Sequence, residues 1–266
     1  MNFVKRISWL AAVSVTAIGC FGSDPNQNSM HADGAFVATG GTSGGGGTSG
    51  GGAFNQSTPI TGVALETFDT GVQGWQYSMY ADPNMMNLGA SGTLFPTWDG
   101  TDGSPSPGVL VATAPFSAAS QYIDIQSKSF ETDSATTMAC MGCLNWTGAK
   151  LHVRVKVQAG GTFSGQIEPY ADTTNNYTFV GTSFNASGDN NWHEYVVDLK
   201  NAMTKNSGFD LSKVILFGVH IGTGTSVTAT PTPVTFEIDS FSIEGAPGAV
   251  TGAGGAAGGA SGAAGS

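Results

Sequence analysis

Positive charge is scarce in this sequence: nine Lys and Arg face nineteen Asp and Glu in 266 residues, a net charge of -10. Lys5 and Arg6 sit near the start, and the other cations form no cluster. Phosphate backbones are held by basic patches, so a nucleic-acid partner is excluded. An anionic membrane surface would repel such a chain. Neutral ligands, cations and other proteins remain. Helix signals are almost absent, with only Asn201–Lys205 suggesting a helical turn. No apolar run reaches the ~20 residues that a membrane-spanning helix needs. There is no internal repeat. Cysteine occurs three times, too few for a four-thiolate zinc site.

Glycine is plentiful instead, with 40 residues unevenly spread and most crowded in Gly40–Gly52 and Gly245–Ser266. Between them, Thr61–Glu244 has ordinary complexity and is long enough to bury one substantial core. Residues 1–19 read as an export leader, with Lys5 and Arg6 ahead of the apolar run Ile7–Ile18. The run ends Ala17-Ile18-Gly19-Cys20, which resembles the bacterial lipobox, with Ala17 where Leu is usual. That resemblance implies cleavage before Cys20 and lipid on its thiol and amine. Residues 20–60 are rich in Gly, Ser, Thr and Asn, a composition that tethers rather than packs. A random coil of about 40 residues spans about 35 Å on average. The chain is therefore expected to be exported and anchored by lipid alone, at the outer membrane or cell surface. Residues 246–266 read as a disordered Gly/Ala/Ser tail.

The segment 61–245 reads as strands, because apolar residues alternate between turn-forming Gly, Asn, Asp and Ser. Leu151, Val153, Val155 and Val157 share one face, and His152, Arg154, Lys156 and Gln158 the other. Phe163 and Ile167 oppose Gln166, Glu168 and Tyr170; Tyr195, Val197 and Leu199 alternate with Glu194, Val196 and Asp198. Ile215, Phe217, Val219 and Ile221 alternate with Leu216 and His220. Shorter candidates are Val63–Phe68, Trp75–Tyr80, Val109–Ala114, Gln121–Ile125 and Tyr177–Val180, and Val234–Ile243 closes the domain. In that last segment Val234, Phe236 and Ile238 share a parity that Phe241 and Ile243 break, so a β-bulge is expected near Asp239-Ser240. About ten such strands make an all-β, two-sheet antiparallel β-sandwich. A monomer is expected.

Cys140-Met141-Gly142-Cys143 is a C-x-x-C pair, open to zinc, redox or disulfide readings. Zinc lacks a second ligand pair, and a redox centre lacks its strand-to-helix setting. With Cys20 lipidated in an exported protein, the two remaining thiols are expected to pair.

Glu66-Thr67-Phe68-Asp69-Thr70-Gly71 followed by Gly74-Trp75 resembles the opening of jelly-roll carbohydrate-binding modules of the galactose-binding-domain-like fold. Ser106-Pro107-Gly108-Val109-Leu110-Val111, Trp146–Leu151, Asn191–Tyr195 and Phe236–Phe241 match their later elements in order. The resemblance implies the fold over roughly Ala64–Gly245, and a structural Ca²⁺ held by Glu66, Asp69 and Asp239. Asp99-Gly100-Thr101-Asp102-Gly103 also looks calcium-like, although Asp-Gly pairs usually make turns.

The alternation puts His152, Arg154, Lys156, Gln166, Glu168, Tyr170 and His220 outward. Sugar recognition needs aromatic planes beside amides, carboxylates and cations, so Arg154, Gln166, Glu168, Tyr170, Tyr177 and His220 are the candidate polysaccharide site. Tyr80, Phe95 and Trp98 are further platforms, whereas Trp75 and Trp192 are expected to pack. A solvated sheet face is the bland alternative. A different class is a structural or adhesive surface protein using the same sandwich for protein contacts. A small lyase or hydrolase is a third, but Gln166-Ile167-Glu168 lacks the His of the lyase motif Gln-Ile-His. The expected protein is a non-catalytic, surface-tethered, polysaccharide-binding lipoprotein.

Overall fold

In the computed structural model the described residues are 59–81, 86–129, 143–158, 163–173, 179–223 and 233–247. In chain order their strands are β1 (Val63–Glu66), β2 (Gln76–Tyr77), β3 (Thr97–Asp99), β4 (Val109–Ala114), β5 (Tyr122–Gln126), β6 (Lys150–Gln158) and β7 (Ser164–Thr173). They continue as β8 (Phe179–Gly181), β9 (Phe184–Ser187), β10 (Trp192–Asp198), β11 (Thr204–Lys205), β12 (Val214–Gly222) and β13 (Val234–Glu244). Helical structure among the described residues is confined to 3-10 turns at Leu88–Ser91 and Leu211–Lys213. The helical turn expected over Asn201–Lys205 does not form, because Thr204 and Lys205 pair with β8.

All strand pairs are antiparallel. A six-stranded sheet has the order β10-β6-β13-β4-β3, with β1 added to β13; a seven-stranded sheet has the order β11-β8-β7-β12-β5-β2, with β9 added to β7. The sheets pack face to face on one core. Leu110, Val153, Val155, Phe236 and Phe241 from the first meet Ile123, Ile125, Ile167, Phe217 and Val219 from the second. Trp75 lies between them, stacked on Phe241 at 4.5 Å and edge-on to Phe217 at 5.4 Å. The chain is thus an all-β two-sheet sandwich, and alternation is its cause, since every second residue of β6, β7 and β12 supplies the core.

Two irregularities set which side chains share a face. The β13·β6 register shifts between Ile238 and Ser240. This bulge at Asp239 keeps Phe236, Ile238, Phe241 and Ile243 all in the core, as their parity demanded. A second shift lies between Val214 and Leu216. There the expectation for Ile215 is corrected: Val214 enters the main core, while Ile215 packs with Leu216, Tyr170 and Phe179 on the far side. Pro169 stands within β7, where a missing N–H would normally break the ladder. It falls between Ile167, the last residue paired to β9, and Tyr170, the first paired to β8.

Candidate functional site

His152, Arg154 and Lys156 were expected to stand open on an outward sheet face, and the structure corrects this. His152, Arg154 and Lys156 point away from the core yet are buried, Arg154 to 1% exposure. The cause is chain laid across them. Arg154 donates to the carbonyls of Pro59 and of Ser104 (3.1 Å), and its Nε lies 3.7 Å from Glu194. Ser242 donates to the Thr61 carbonyl at 2.7 Å. Lys156 pairs with Asp102 and, at 2.5 Å, with Glu237, and sits 5.0 Å above the Trp192 ring. Burial works against its charge, but the two carboxylates overcome this and hold its pKa above the ordinary value. His152 lies between Glu194 (3.4 Å) and Glu244 (3.3 Å). Arg154 therefore belongs to a structural ion network on the opposite sheet from Gln166, Glu168, Tyr170 and His220, and its placement in one site with them is corrected.

The expected calcium ligands are spread around the nearby sheet edge. Glu66 accepts from the backbone of Thr67 (3.2 Å) and Phe68 (3.4 Å) and from the Trp75 indole (3.4 Å). Asp69 accepts from the hydroxyls of Thr67 (3.0 Å) and Ser106 (2.9 Å). Asp239, buried at its bulge, accepts from the Ser104 amide; desolvation raises its pKa to about 6, against the pull of that amide, Ser240 and Arg154. Asp69 adds to the rise, so the two carboxylates feel each other. Among the described residues no three Asp, Glu, His or Cys side chains are grouped to hold a metal. Asp99 and Asp102 make turns, Asp99 accepting from Thr101 N at 2.8 Å and Asp102 from Gly103 N at 2.8 Å.

The outer face of the seven-stranded sheet gathers the rest of the expected site. The register sets Asp124, His220 and Glu168 in one row across β5, β12 and β7. Tyr122 and Gln166 flank Gly222 in the next row, Gln126 and Tyr170 flank Gly218 on the other side, and Leu216 pairs with Asp172 beyond. Asp124 and His220 are hydrogen-bonded at 2.6 Å, and Tyr122 stacks on the His220 ring at 4.7 Å. Burial pulls the His220 pKa down to about 4, with Glu168 pulling the other way, so the imidazole is neutral at pH 7. Ser183 donates to Glu168 Oε2 at 2.8 Å. Asp172 is fully buried. Its burial, and after that the Asp124 charge, push its pKa well above the ordinary aspartate value.

This face also differs from expectation in exposure. Tyr170, anticipated as an open stacking platform, is 0% exposed and packs with Phe179, Ile215, Leu216 and Cys143. Its ring lies over Gly218, where a Cβ would come 2.9 Å from the phenol oxygen. Its hydroxyl donates to Gln126 Oε1 at 3.4 Å. Glu168 leans over Gly181 in the same way, where a Cβ would meet Oε1 at 2.7 Å. Four buried acceptor oxygens on β7 have no hydrogen-bond partner: Gln166 Oε1, Glu168 Oε1 and both oxygens of Asp172. Asp124, Gln126 and Tyr122 were missed as members. The alternation of Ile123 and Ile125 implied that they face outward, but only the register places them beside His220.

Exposed aromatics lie elsewhere. Phe95 is 74% and Trp98 44% exposed, on and just before the edge strand β3. The Trp98 indole donates to the Phe68 carbonyl at 2.6 Å, which fixes the ring. Trp75 and Trp192 are buried, as expected of packing residues. Cys143 is disulfide-bonded. Tyr177, Cys20 and Cys140 lie outside the described residues, as do the leader, most of the tether and nearly all of the tail.

No family model matches this chain, and no curated protein matches it. Solved structures do. One, described as showing the promiscuous specificity of carbohydrate-binding modules from the β-sandwich superfamily, is 13% identical, with a TM-score of 0.45 over 70% of this chain and 64% of that one. A family 11 carbohydrate-binding module from Clostridium thermocellum, in complex with a β-1,3-1,4-mixed-linked tetrasaccharide, is 11% identical (TM-score 0.44, 71% of this chain, 98% of that one). A family 30 module of a cellulosomal cellulase from the same organism is 14% identical (TM-score 0.41, 70% and 98%). The chain spans less than two thirds of the first of these and 25% of an exo-β-agarase that it also resembles.

Proposed function

We propose that this protein is a non-catalytic polysaccharide-binding lipoprotein, exported, anchored through Cys20, and binding its ligand on the outer face of the seven-stranded sheet. The observation that carries the reading is the row of acceptor oxygens without partners on Gln166, Glu168 and Asp172. A buried polar group left unsatisfied costs about 1–3 kcal/mol. Polysaccharides present hydroxyl donors at regular spacing, and the neighbouring strands add the amide of Gln126 and the ring of Tyr122. Because Tyr170 and Asp172 are buried, the face is uncovered before a sugar chain can lie on it. Association is then expected below the typical rate of about 10⁵–10⁷ M⁻¹s⁻¹.

The non-catalytic part rests on separation. His152 and Arg154 belong to the other sheet, so they join no acid/base set with Glu168, Tyr170 and His220. Glu168 and Asp172 are four residues apart on one strand, about 13 Å along the backbone. A glycosidase pair of carboxyls stands about 5–9.5 Å apart.

A second reading places the ligand on the fixed, exposed ring of Trp98, with exposed Phe95 three residues before it in the chain. The same two rings would serve protein contacts if the sandwich is adhesive. Retention of the full-length protein on a polysaccharide panel separates the readings. Binding lost in Glu168→Gln and kept in Trp98→Ala supports the sheet face. The reverse pattern moves the site to the edge, and no retention on any glycan overturns polysaccharide binding.

A further inference from the structure

The charge on the seven-stranded sheet's outer face is one-sided. Asp124, Glu168 and Asp172 come from β5 and β7. Among the described residues no Lys or Arg in the strands of this sheet joins them; Lys205 of β11 pairs with Val180 and so shares the side of that core residue. The ionisable group that acts on Asp172 from another strand is Asp124, with His220 beside it; Tyr170 and Glu168 stand on its own strand, and Leu216 and Phe179 pair with it on either side. None is a cation at pH 7, given the depressed pKa of His220.

We infer that the polysaccharide bound here carries free primary amines, each ammonium docking on the carboxyl groups of Glu168 and Asp172. This rests on the polysaccharide reading above. Three observations lead to it. The acids are buried, which favours an ion only when it meets an opposite charge. Asp172 has two oxygens and Glu168 one that accept no hydrogen bond, so the missing partner is a donor. The acids are also strung along β7 rather than gathered, and no three such groups are close enough to hold a metal among the described residues. An extended polymer spans that spacing, whereas a point cation does not. An anionic sugar is disfavoured by the same charges.

The step is a proton exchange. Burial, and after it the Asp124 charge, keep the proton on Asp172 to a higher pH than on an ordinary aspartate. An incoming R–NH₃⁺ favours its carboxylate, so the O–H bond breaks, the proton leaves to the buffer and the ammonium–carboxylate pair forms. Binding at pH 5, where an ordinary Asp is already largely ionised, is therefore accompanied by proton release from Asp172.

The test is calorimetry on the full-length protein at pH 5 with three oligosaccharides: β-1,4-glucosamine, its N-acetylated form and a neutral β-1,4-glucan. Two buffers of different ionisation enthalpy are used. Tightest binding of the free-amine oligomer, with a buffer-dependent heat showing proton release, is the expected result. Glu168→Gln, which keeps the side-chain shape, should weaken that oligomer at least tenfold and leave the melting temperature in place. Equal affinity for all three with no proton released overturns the amine assignment while leaving polysaccharide binding intact. Binding of the neutral glucan alone does the same. No binding of any of the three oligomers removes the amine assignment, while polysaccharide binding itself is decided by retention on the wider panel.

Discussion

Replacing Arg154 separates a structural role from a ligand-binding one. The side chain is 1% exposed, donates to two backbone carbonyls from separate loops, Pro59 and Ser104, and lies beside Glu194. Arg154→Ala removes all of these at once. It leaves two carbonyls without their donor, and the Glu194 carboxylate loses a charge that helps hold its pKa down, after the larger effect of its bond to His152. Removing one partner of a buried charge network costs about 3–5 kcal/mol. For a domain of this size each kcal/mol lowers the melting temperature by about 2–4 °C, so a fall of about 6–20 °C is expected. Thermal unfolding followed by tryptophan fluorescence measures it. Arg154→Lys should fall between, since one ammonium does not reproduce the planar fork that reaches both carbonyls. Folded Arg154→Ala, measured well below its transition, should bind polysaccharide as the wild type does. An unchanged melting temperature together with lost binding would refute the structural assignment.

Other perturbations follow from the same geometry. Asp172→Asn removes an acid whose folded pKa is raised. Such a group favours folding below its unfolded pKa and loses that contribution as pH rises towards the folded value, so the variant should gain stability over wild type above about pH 4 and none below it. Urea unfolding at pH 3 and pH 7 compares them, and a loss at pH 7 would contradict the assignment. Calcium at Glu66, Asp69 and Asp239 is tested by chelation: a lowered melting temperature that Asp239→Ala abolishes would establish an ion there, and identical curves would remove it. Cys20→Ser should release the protein from the membrane fraction, and retained membrane association would end the lipid-anchor proposal. Thiol labelling without reduction should find neither Cys140 nor Cys143, and reaction at either would break the proposed pairing.

The core was legible because it depends only on local alternation. Val153, Val155, Phe236 and Phe241 could be assigned inward from parity, and the parity break itself located the bulge at Asp239. What covers the outer faces was not legible. Arg154 and Lys156 read as exposed because their strand alternates, but their partners at Pro59, Asp102 and Ser104 lie about 50 or more residues away. Nothing local marks a loop that folds across a sheet. The candidate site was half visible for a related reason. Glu168 and Tyr170 share a parity on one strand, yet only cross-strand register aligns them with Asp124, Gln126 and His220. Ile215 was misplaced because its bulge has no break in apolar parity to announce it: Ile215 and Leu216 are both apolar, and either could face the core.

The most direct measurement of polysaccharide binding by this sheet face is a binding isotherm of Glu168→Gln against wild type, on whichever glycan the panel retains. Trp98→Ala serves as the control at the distant edge. A large loss of affinity in Glu168→Gln, with an unchanged melting temperature and an unaffected Trp98→Ala, is the predicted result. Equal affinity of Glu168→Gln and wild type, with binding abolished in Trp98→Ala, would contradict it and place the ligand on the edge aromatics.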